Sequence, residues 1–501
     1  MRPTLAVLSV AQFLIALDYS IIYVALPSVA ADLHLEPSLA QWIVSAYAVL
    51  FAGFLVVGGR LTDRVGAKRL FIGAIVFFGI ASAIGGAAAD GTVLLAARGA
   101  QGLGAALLQP AIIGLIGTTF PAGPARNRAL AVWGAVGASG LAAGAVLGGL
   151  LTTASWRLTF VINVPLTVLC AVGALVWIRA AGVSAADRIP LRAAVLGTGT
   201  VLTLVLGLTL GADQGWRAWP TLVSLVLSVA LFGTFVRNEG TVPLIEPALR
   251  RITTLRAGAV ATALYMASVG SEFYLLTLLL QSMKDYDALS AGLAFVPLAV
   301  LVTAGNGAAG RAVRTYSPAT VLAGGFAVAT AGLLWLSLAL HGDSYAADLL
   351  PGLLLSGFGH GVIYPSMFTI GTQDVPAAHQ GTAGALLTTS QYLSAAVTVS
   401  VLTLVLGPAP GDGQFRAAFL VTAAAAAAGA ALATRSYARV NARHGTCSIA
   451  NRTVADTAEQ PLGQDVRHES AGRRGPCRTV AAALWCRTSA RTSAMWRRYR
   501  T

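Results

Sequence analysis

Three ionisable side chains stand inside otherwise apolar runs of this chain: Asp18 within 5–27, Arg98 within 92–117 and Glu272 within 257–280. A charge at mid-bilayer costs roughly 2.5–3.5 kcal/mol on insertion scales, so each needs a partner, a water-filled cavity or, for a carboxyl, a proton. Two such carboxyls suit a proton site, a cation site or both. Asp18 reads as a coupling or cation-binding group, with a permanent hydrogen bond to a neighbouring helix as the alternative. Glu272, beside Ser268 and Ser271, either faces a cavity opposite Asp18 or lies near the outer surface. Arg98 requires a carboxylate or several carbonyls; Asp90, on the adjacent loop, is not named as its partner, and a fixed structural pair is the alternative to a role in tuning proton release. His360, in Gly357-Phe358-Gly359-His360-Gly361, is a candidate relay for protons or a packed, hydrogen-bonded imidazole. Those glycines make no nucleotide loop, because no strand precedes them. Tyr19, Tyr23, Gln109, Tyr364 and Gln391, with Gln281 and Tyr392, are candidates for lining a cavity or for stitching helices together.

The elements that position these groups follow from composition. Of 501 residues, 56% are hydrophobic and only 11% charged, with a mean hydropathy of +0.72. A soluble domain carries about 25% charged residues. A soluble enzyme, a disordered regulator and a secreted disulfide scaffold are thereby excluded, and the chain reads as an all-α polytopic membrane protein. Fourteen apolar runs are long enough to span: 5–27, 39–59, 70–89, 92–117, 129–152, 158–178, 191–211, 218–236, 257–280, 288–308, 318–340, 345–370, 380–406 and 415–434. Trp216 and Trp219, between the seventh and eighth, look like an interfacial anchor. With the N-terminus in the cytoplasm, inside segments before residue 435 hold 16 basic residues, against Arg157, Lys284, Arg217 and Arg416 outside. That asymmetry follows the positive-inside rule and puts both termini in the cytoplasm. Ser28-Val29-Ala30 mimics a signal cleavage site, but the run before it is too long for a signal peptide and contains Asp18.

The net charge of +14 belongs mostly to the end of the chain. Residues 435–501 hold 13 Arg and no Lys against four acids, leaving +5 for residues 1–434. It points to no nucleic-acid partner; the tail reads as disordered and without a transport role, its basic groups suited to anionic lipid. Cys170 lies in an apolar run, and Cys447, Cys477 and Cys486 have no zinc-type spacing, so neither a metal site nor a disulfide framework is suggested.

Two further patterns concern helix contacts. Gly137, Gly140, Gly144 and Gly148, with Gly149 beside them, make a smooth stripe on the fifth span, the kind that lets helices approach closely in lipid. Between spans two and three, Asp63, Arg64 and Arg69 form a charged cluster. Its carboxylate is suited to a helix N-terminus and its bases to pairing across a bundle interface; topogenic charge alone is the plainer reading.

Several stretches resemble a known family. Gly59-Arg60-Leu61-Thr62-Asp63-Arg64-Val65-Gly66-Ala67-Lys68-Arg69 resembles the cytoplasmic loop motif of the major facilitator superfamily, and Arg98, Gly102 and Gly104 its fourth-span arginine motif. Leu17-Asp18-Tyr19 through Ala25-Leu26-Pro27 is similar to the first-span motif of the fourteen-span drug:proton antiporters. Trp156-Arg157, with Phe160, Asn163, Val164 and Pro165, resembles the start of their sixth span. Pro297, Leu350-Pro351-Gly352 and Val375-Pro376 fall at similar places in their second half. Two departures stand out: Gly144-Ala145 replaces the antiporter Gly-Pro pair and removes a kink, and Gly310-Arg311-Ala312-Val313-Arg314 resembles a decayed loop motif without its Asp.

The resemblance implies the major facilitator fold: a six-helix bundle over 1–180, a linker with two additional helices over 181–254, a second six-helix bundle over 255–434, and the tail 435–501. It implies alternating access by rocking of the bundles, a cytoplasmic gate of Gly59, Asp63, Arg64, Gly66 and Arg69, and proton coupling through Asp18, Glu272 and Arg98. No Walker-type loop is present, so the expected energy source is the proton gradient, with no cofactor, and the expected state a monomer in the cell membrane. The leading expectation is proton-coupled export of amphipathic or cationic drugs. Export of an endogenous metabolite or siderophore, and nutrient uptake, keep the fold and change the cargo. A polytopic membrane enzyme would want a carboxylate cluster at one membrane face; the outer loops offer only scattered acids such as Asp32, Glu36, Asp285 and Asp287. A channel would want a charge ring or a filter loop.

Overall fold

In the computed structural model, residues 3–179, 191–238, 245–286, 288–340, 344–407 and 410–458 are described. The first bundle comprises α1 (Pro3–Asp32), α2 (Pro37–Val65), α3 (Ala67–Gly86), α4 (Gly91–Thr119), α5 (Pro124–Ala154), the short α6 (Leu158–Val161) and α7 (Asn163–Trp177). Two further helices follow, α8 (Leu191–Gln214) and α9 (Trp219–Asn238), then the short α10 (Pro247–Arg251). The second bundle runs through α11 (Thr253–Leu278), α12 (Ala288–Ala294), α13 (Val296–Ala312), α14 (Pro318–Leu338), α15 (Leu350–Thr372), α16 (Gln380–Leu406) and α17 (Asp412–Ala458). Short π-helical turns extend α11 over Leu279–Met283 and precede α15 over Tyr345–Leu349. No strand occurs among the described residues.

Thirteen helices among the described residues are long and apolar enough to cross a membrane. The 31-residue α5, where the sequence places the fifth span, is outside that number. The sequence ends its last span at 434 and expects a disordered tail from 435. Instead the helix continues to Ala458, while 459–501 lie outside the described residues.

Packing explains the glycine stripe. A Cβ on Gly140 would come within 2.7 Å of the Phe13 carbonyl, one on Gly144 would collide with Ser20 Oγ, and one on Gly148 would lie 3.1 Å from the Ile21 carbonyl. The three therefore seat α5 directly on α1. Gly149 points elsewhere, with nothing within 4 Å of its Cβ position. With Ala145 in place of the motif proline, α5 is one unbroken helix, as a helix without an interior proline should be. Gly144→Val should consequently lower the thermal midpoint of the purified protein, since overpacking a close contact costs about 1–3 kcal/mol. Gly149→Val should leave it unchanged. Equal midpoints for the two variants would contradict this account of the stripe.

The two bundles meet where α2 packs on α16 and where α5 packs on α13 and α15. The added pair α8–α9 lies against α2 and α16, with Leu202 filling the notch at Gly53. Trp219 is exposed on its surface, while Trp216 closes over Gly211.

Candidate functional site

Asp18 lies inside the first bundle, 1% exposed, and both of its oxygens accept hydrogen bonds. Arg98 Nη1 of α4 donates to Oδ2 at 2.8 Å. Gln101 Nε2, one turn further along α4, donates to Oδ1 at 2.9 Å, and Asn163 Nδ2 at the start of α7 donates to the same oxygen at 2.7 Å. Arg98 is held in turn by the Gln101 carbonyl oxygen at 3.0 Å and the Ile43 carbonyl at 3.3 Å, and its guanidinium stands 4.6 Å over the Tyr47 ring. Gln101 also donates to Ser82 of α3. Five helices thus converge on one charge pair. The partner of Arg98 is Asp18, whereas Asp90 caps the N-terminus of α4 through the amides of Thr92 and Val93. Asn163 is aimed at Asp18 by the turn before it, where Trp156 Nε1 and Arg157 Nη1 both donate to Asp32 Oδ2, at 2.9 and 2.8 Å.

Glu272, on α11 of the second bundle, is likewise fully buried but has a different partner set. Ser356 Oγ of α15 donates to Oε1 at 2.5 Å, and His360 Nδ1, one turn along, stands 3.3 Å from Oε2. His360 Nε2 meets Ser268 Oγ at 3.2 Å, and its ring lies edge-on to Tyr265. His360 is the only ion-pair partner of Glu272 among the described residues. The two buried carboxyls therefore have separate partner sets.

Between the bundles the facing side chains are aromatic and uncharged. Tyr23 and Tyr19 of α1 lead to Tyr47 and Phe51 of α2, and Phe51 meets Tyr392 of α16 at 4.7 Å. On the other side Trp133 of α5 stacks on Tyr364 of α15 at 5.4 Å, and Tyr364 meets Tyr265. Buried here are hydrogen-bonding atoms without partners among the described residues: Gln12 Oε1, Gln109 Oε1, Trp133 Nε1 and Asn306 Oδ1. Gln391 reaches only the Met266 sulfur at 4.0 Å, and Gln281 is exposed. Of the expected lining residues, Tyr19, Tyr364 and Gln391 thus stand near this seam, while His360 belongs to the Glu272 cluster.

At the end of the bundle carrying the Gly59–Arg69 motif, Asp63 leaves the last turn of α2 and seats itself on the N-terminus of α16. Its Oδ1 accepts from the Gly381 amide at 3.0 Å, and Oδ2 accepts from the Thr382 amide at 2.9 Å and its hydroxyl at 2.5 Å. Free amides and the positive end of the helix dipole favour a carboxylate there. Gly59 permits the approach, since a Cβ would lie 2.5 Å from Ala385 Cβ, and Gly66, at φ 95°, makes the reversal into α3. Arg64 and Arg69 are exposed and form no ion pair among the described residues. The paired base of this motif is Arg60, 3.7 Å from Glu246, whose other oxygen stands 3.4 Å from His379. In the decayed copy, Gly310 faces Ala131 of α5, an apolar contact.

Sequence reasoning passed over Gln101, Ser82 and Ser356. Gln101 had a signal, lying three residues after Arg98 on the same face of one helix. Ser356 had none, because its partner Glu272 is 84 residues away in the chain.

Comparison with known proteins agrees with this architecture. Residues 8–399 match the Major Facilitator Superfamily. The chain is 35% identical to the cephamycin export protein CmcT of Amycolatopsis lactamdurans over 79% of its length and 83% of that protein. It is 34% identical to the puromycin resistance protein pur8 of Streptomyces alboniger over 80% and 81%. Against the tetracenomycin C resistance and export protein of Streptomyces glaucescens it is 31% identical over 82% and 77%. Among solved structures, the human organic anion transporter MFSD10 superposes with a TM-score of 0.65 at 16% identity, covering 86% of this chain and 99% of that one. FucP in its outward conformation superposes at 0.61 and 16% identity, covering 86% and 97%. In sequence and in fold, the chain belongs to the Major Facilitator Superfamily and is a multi-pass membrane transporter, not an enzyme.

Proposed function

We propose that this protein exports small amphipathic or cationic antibiotics across the cell membrane by alternating access, in exchange for protons. The observation that carries the reading is the pairing of two buried carboxyl clusters, at Asp18 and Glu272, with likeness to proteins named for antibiotic export and resistance. Counted with α5, the chain crosses the membrane fourteen times, so both termini lie on one side; the excess of basic residues in the segments on that side supports the cytoplasm, with the Asp63 latch at the cytoplasmic end. The bundles 1–180 and 255–434 rock about the seam of α2–α16 and α5–α13, with 181–254 as the inserted pair, and the monomer is the working unit. Closing the latch at Asp63 closes the cytoplasmic end; releasing it admits cargo. The aromatic seam, with the free hydrogen-bonding atoms of Gln12, Gln109, Trp133 and Asn306, offers stacking faces and a few polar contacts, as small-molecule sites do. The proton gradient replaces any cofactor.

Inverted membrane vesicles test this directly. With an inward-acid gradient, wild type should accumulate ethidium, puromycin or a cephamycin, and an uncoupler should abolish the uptake. Asp18→Asn, at equal expression, should lose gradient-driven uptake, because the charge balance with Arg98 is gone. No uncoupler-sensitive uptake of any of the three compounds would overturn the export reading.

A further inference from the structure

We infer that a cavity between α13 and α14 seats one acyl chain of an anionic phospholipid, with the lipid phosphate held by Arg311 and Arg314. Both helices pack on α15, and the space they leave between them is a cavity of about 320 Å³. Its wall is apolar, built from Ala308 and Ala312 of α13, Val321 and Val328 of α14, and Phe358 and Val362 of α15, with hydroxyls only from Tyr316 and Thr320. Two neighbouring glycines of α14 shape it. Gly325 lets α14 down onto α15, since a Cβ there would lie 3.0 Å from Ile363 and Val362, whereas one on Gly324 would meet nothing within 4 Å. Gly324 and Thr320 are exposed, so the cavity opens sideways, toward the bilayer. A water molecule needs several polar partners, which this wall lacks, and hydrocarbon is the filling it suits.

The charge at its mouth selects the headgroup. Arg311 turns back along α13: a Cβ on Gly307, one turn earlier, would lie 3.6 Å from its Nη1. Arg314 stands in the turn after α13, two residues before Tyr316. Both arginines are exposed, and neither has an ion-pair partner among the described residues. The chain has no acidic residue from 288 to 342, and Asp374, just past the end of α15, already accepts from Thr254 Oγ1 at 2.9 Å. Two guanidiniums at the bilayer edge without a carboxylate suit a phosphate, which arginine binds through paired, charge-assisted hydrogen bonds. Tyr316, 60% exposed beside them, has the place of an interfacial aromatic. The same two charges disfavour a cationic cargo molecule as the occupant. With the sidedness proposed above, this end lies in the cytoplasmic leaflet, whose anionic lipids attract such bases. The decayed loop motif thus lacks the carboxylate of a latch but keeps the bases of a lipid site.

Photo-crosslinking of the full-length protein in proteoliposomes tests the site without any cargo, so the export reading stands or falls separately. A phosphatidylglycerol probe with a diazirine in one acyl chain should label peptides covering 308–328 and 358–362. A phosphatidylcholine probe with the same chains should label them about tenfold less, because two arginines favour the anionic headgroup by roughly that factor or more. Gly324→Leu puts a side chain into the cavity itself and should abolish the phosphatidylglycerol label there, leaving label on other lipid-facing helices. Arg311→Gln/Arg314→Gln should bring the phosphatidylglycerol label down to the phosphatidylcholine level. Equal labelling of the wild type by the two probes overturns the headgroup site and reduces the cavity to ordinary solvation by lipid tails. A phosphatidylglycerol label unchanged in Gly324→Leu overturns the cavity as its seat. Where the arginine variant is not inserted, Gly324→Leu and the comparison of the two probes still decide, since both keep the arginines. Loss of the label to excess inorganic phosphate would mean a site for a free anion and overturn the lipid as occupant.

Discussion

Arg98→Met should be the most damaging single substitution in the first bundle, with the yield of monodisperse protein falling by about tenfold or more and the residual protein melting well below wild type. The cause is the carboxylate left behind rather than the contact removed. Asp18 is 1% exposed and Arg98 is its only ion-pair partner among the described residues, and breaking a buried pair by removing one partner costs about 3–5 kcal/mol. The reverse change is milder. In Asp18→Asn the guanidinium keeps Gln101, the Ile43 carbonyl and the face of Tyr47, so that variant should fold and fail in coupling instead. Arg98→Lys should fall between, since an ammonium keeps the charge but cannot span Asp18 and the Ile43 carbonyl together. The double variant Asp18→Asn/Arg98→Met should recover much of the yield lost in Arg98→Met, because neither charge remains. A double variant as poor as Arg98→Met, or an Arg98→Met protein as stable as wild type, would show that the pair is not what holds these five helices together.

What the sequence disclosed, and what it withheld, divides along sequence distance. Span positions follow from local apolar runs, and the buried ionisable groups announce themselves by cost, so Asp18, Arg98 and Glu272 were legible as a set. Their pairing was not: Asp18 and Arg98 are 80 residues apart, and nothing local says that α1 and α4 face each other. The same gap separates Glu272 from Ser356 and His360, whose relation depends on α11 packing against α15. Within the gate motif the Asp63 carboxylate lies on the N-terminus of α16, while the bases expected to pair across the interface form no ion pair among the described residues. Arg64 and Arg69 point to solvent, and Arg60, one turn before Arg64, reaches Glu246. A charged run fixes that a helix end is solvated; which member turns inward depends on the partner helix. The glycine stripe was legible because helical spacing alone puts Gly140, Gly144 and Gly148 on one face, and Gly149 falls off it for the same reason.

Asp63→Asn should open the end of the bundle that this residue now holds shut. Three donors of α16 converge on the Asp63 carboxylate, and a hydrogen bond to a charged group contributes about 1.5–3 kcal/mol. Neutralising the acceptor should therefore raise the population open at this end by about tenfold or more. The readout is a single cysteine at Ala385, which lies against Gly59 in the closed seam, placed in a protein whose four native cysteines are replaced. Labelling from that side by a membrane-impermeant thiol reagent should be slow in the otherwise native protein and at least about tenfold faster with Asp63→Asn. Arg64→Gln should leave the rate unchanged, because Arg64 is exposed and forms no ion pair among the described residues. An unchanged rate in Asp63→Asn would mean that apolar packing of α2 on α16 closes this end unaided. The asymmetry of the two halves makes that outcome improbable on physical grounds. At the corresponding place on the α5–α13 seam Gly310 meets Ala131 in an apolar contact, and among the described residues no carboxylate there accepts from a helix terminus, so the polar resistance to opening lies on the α2–α16 side, where Asp63 sits.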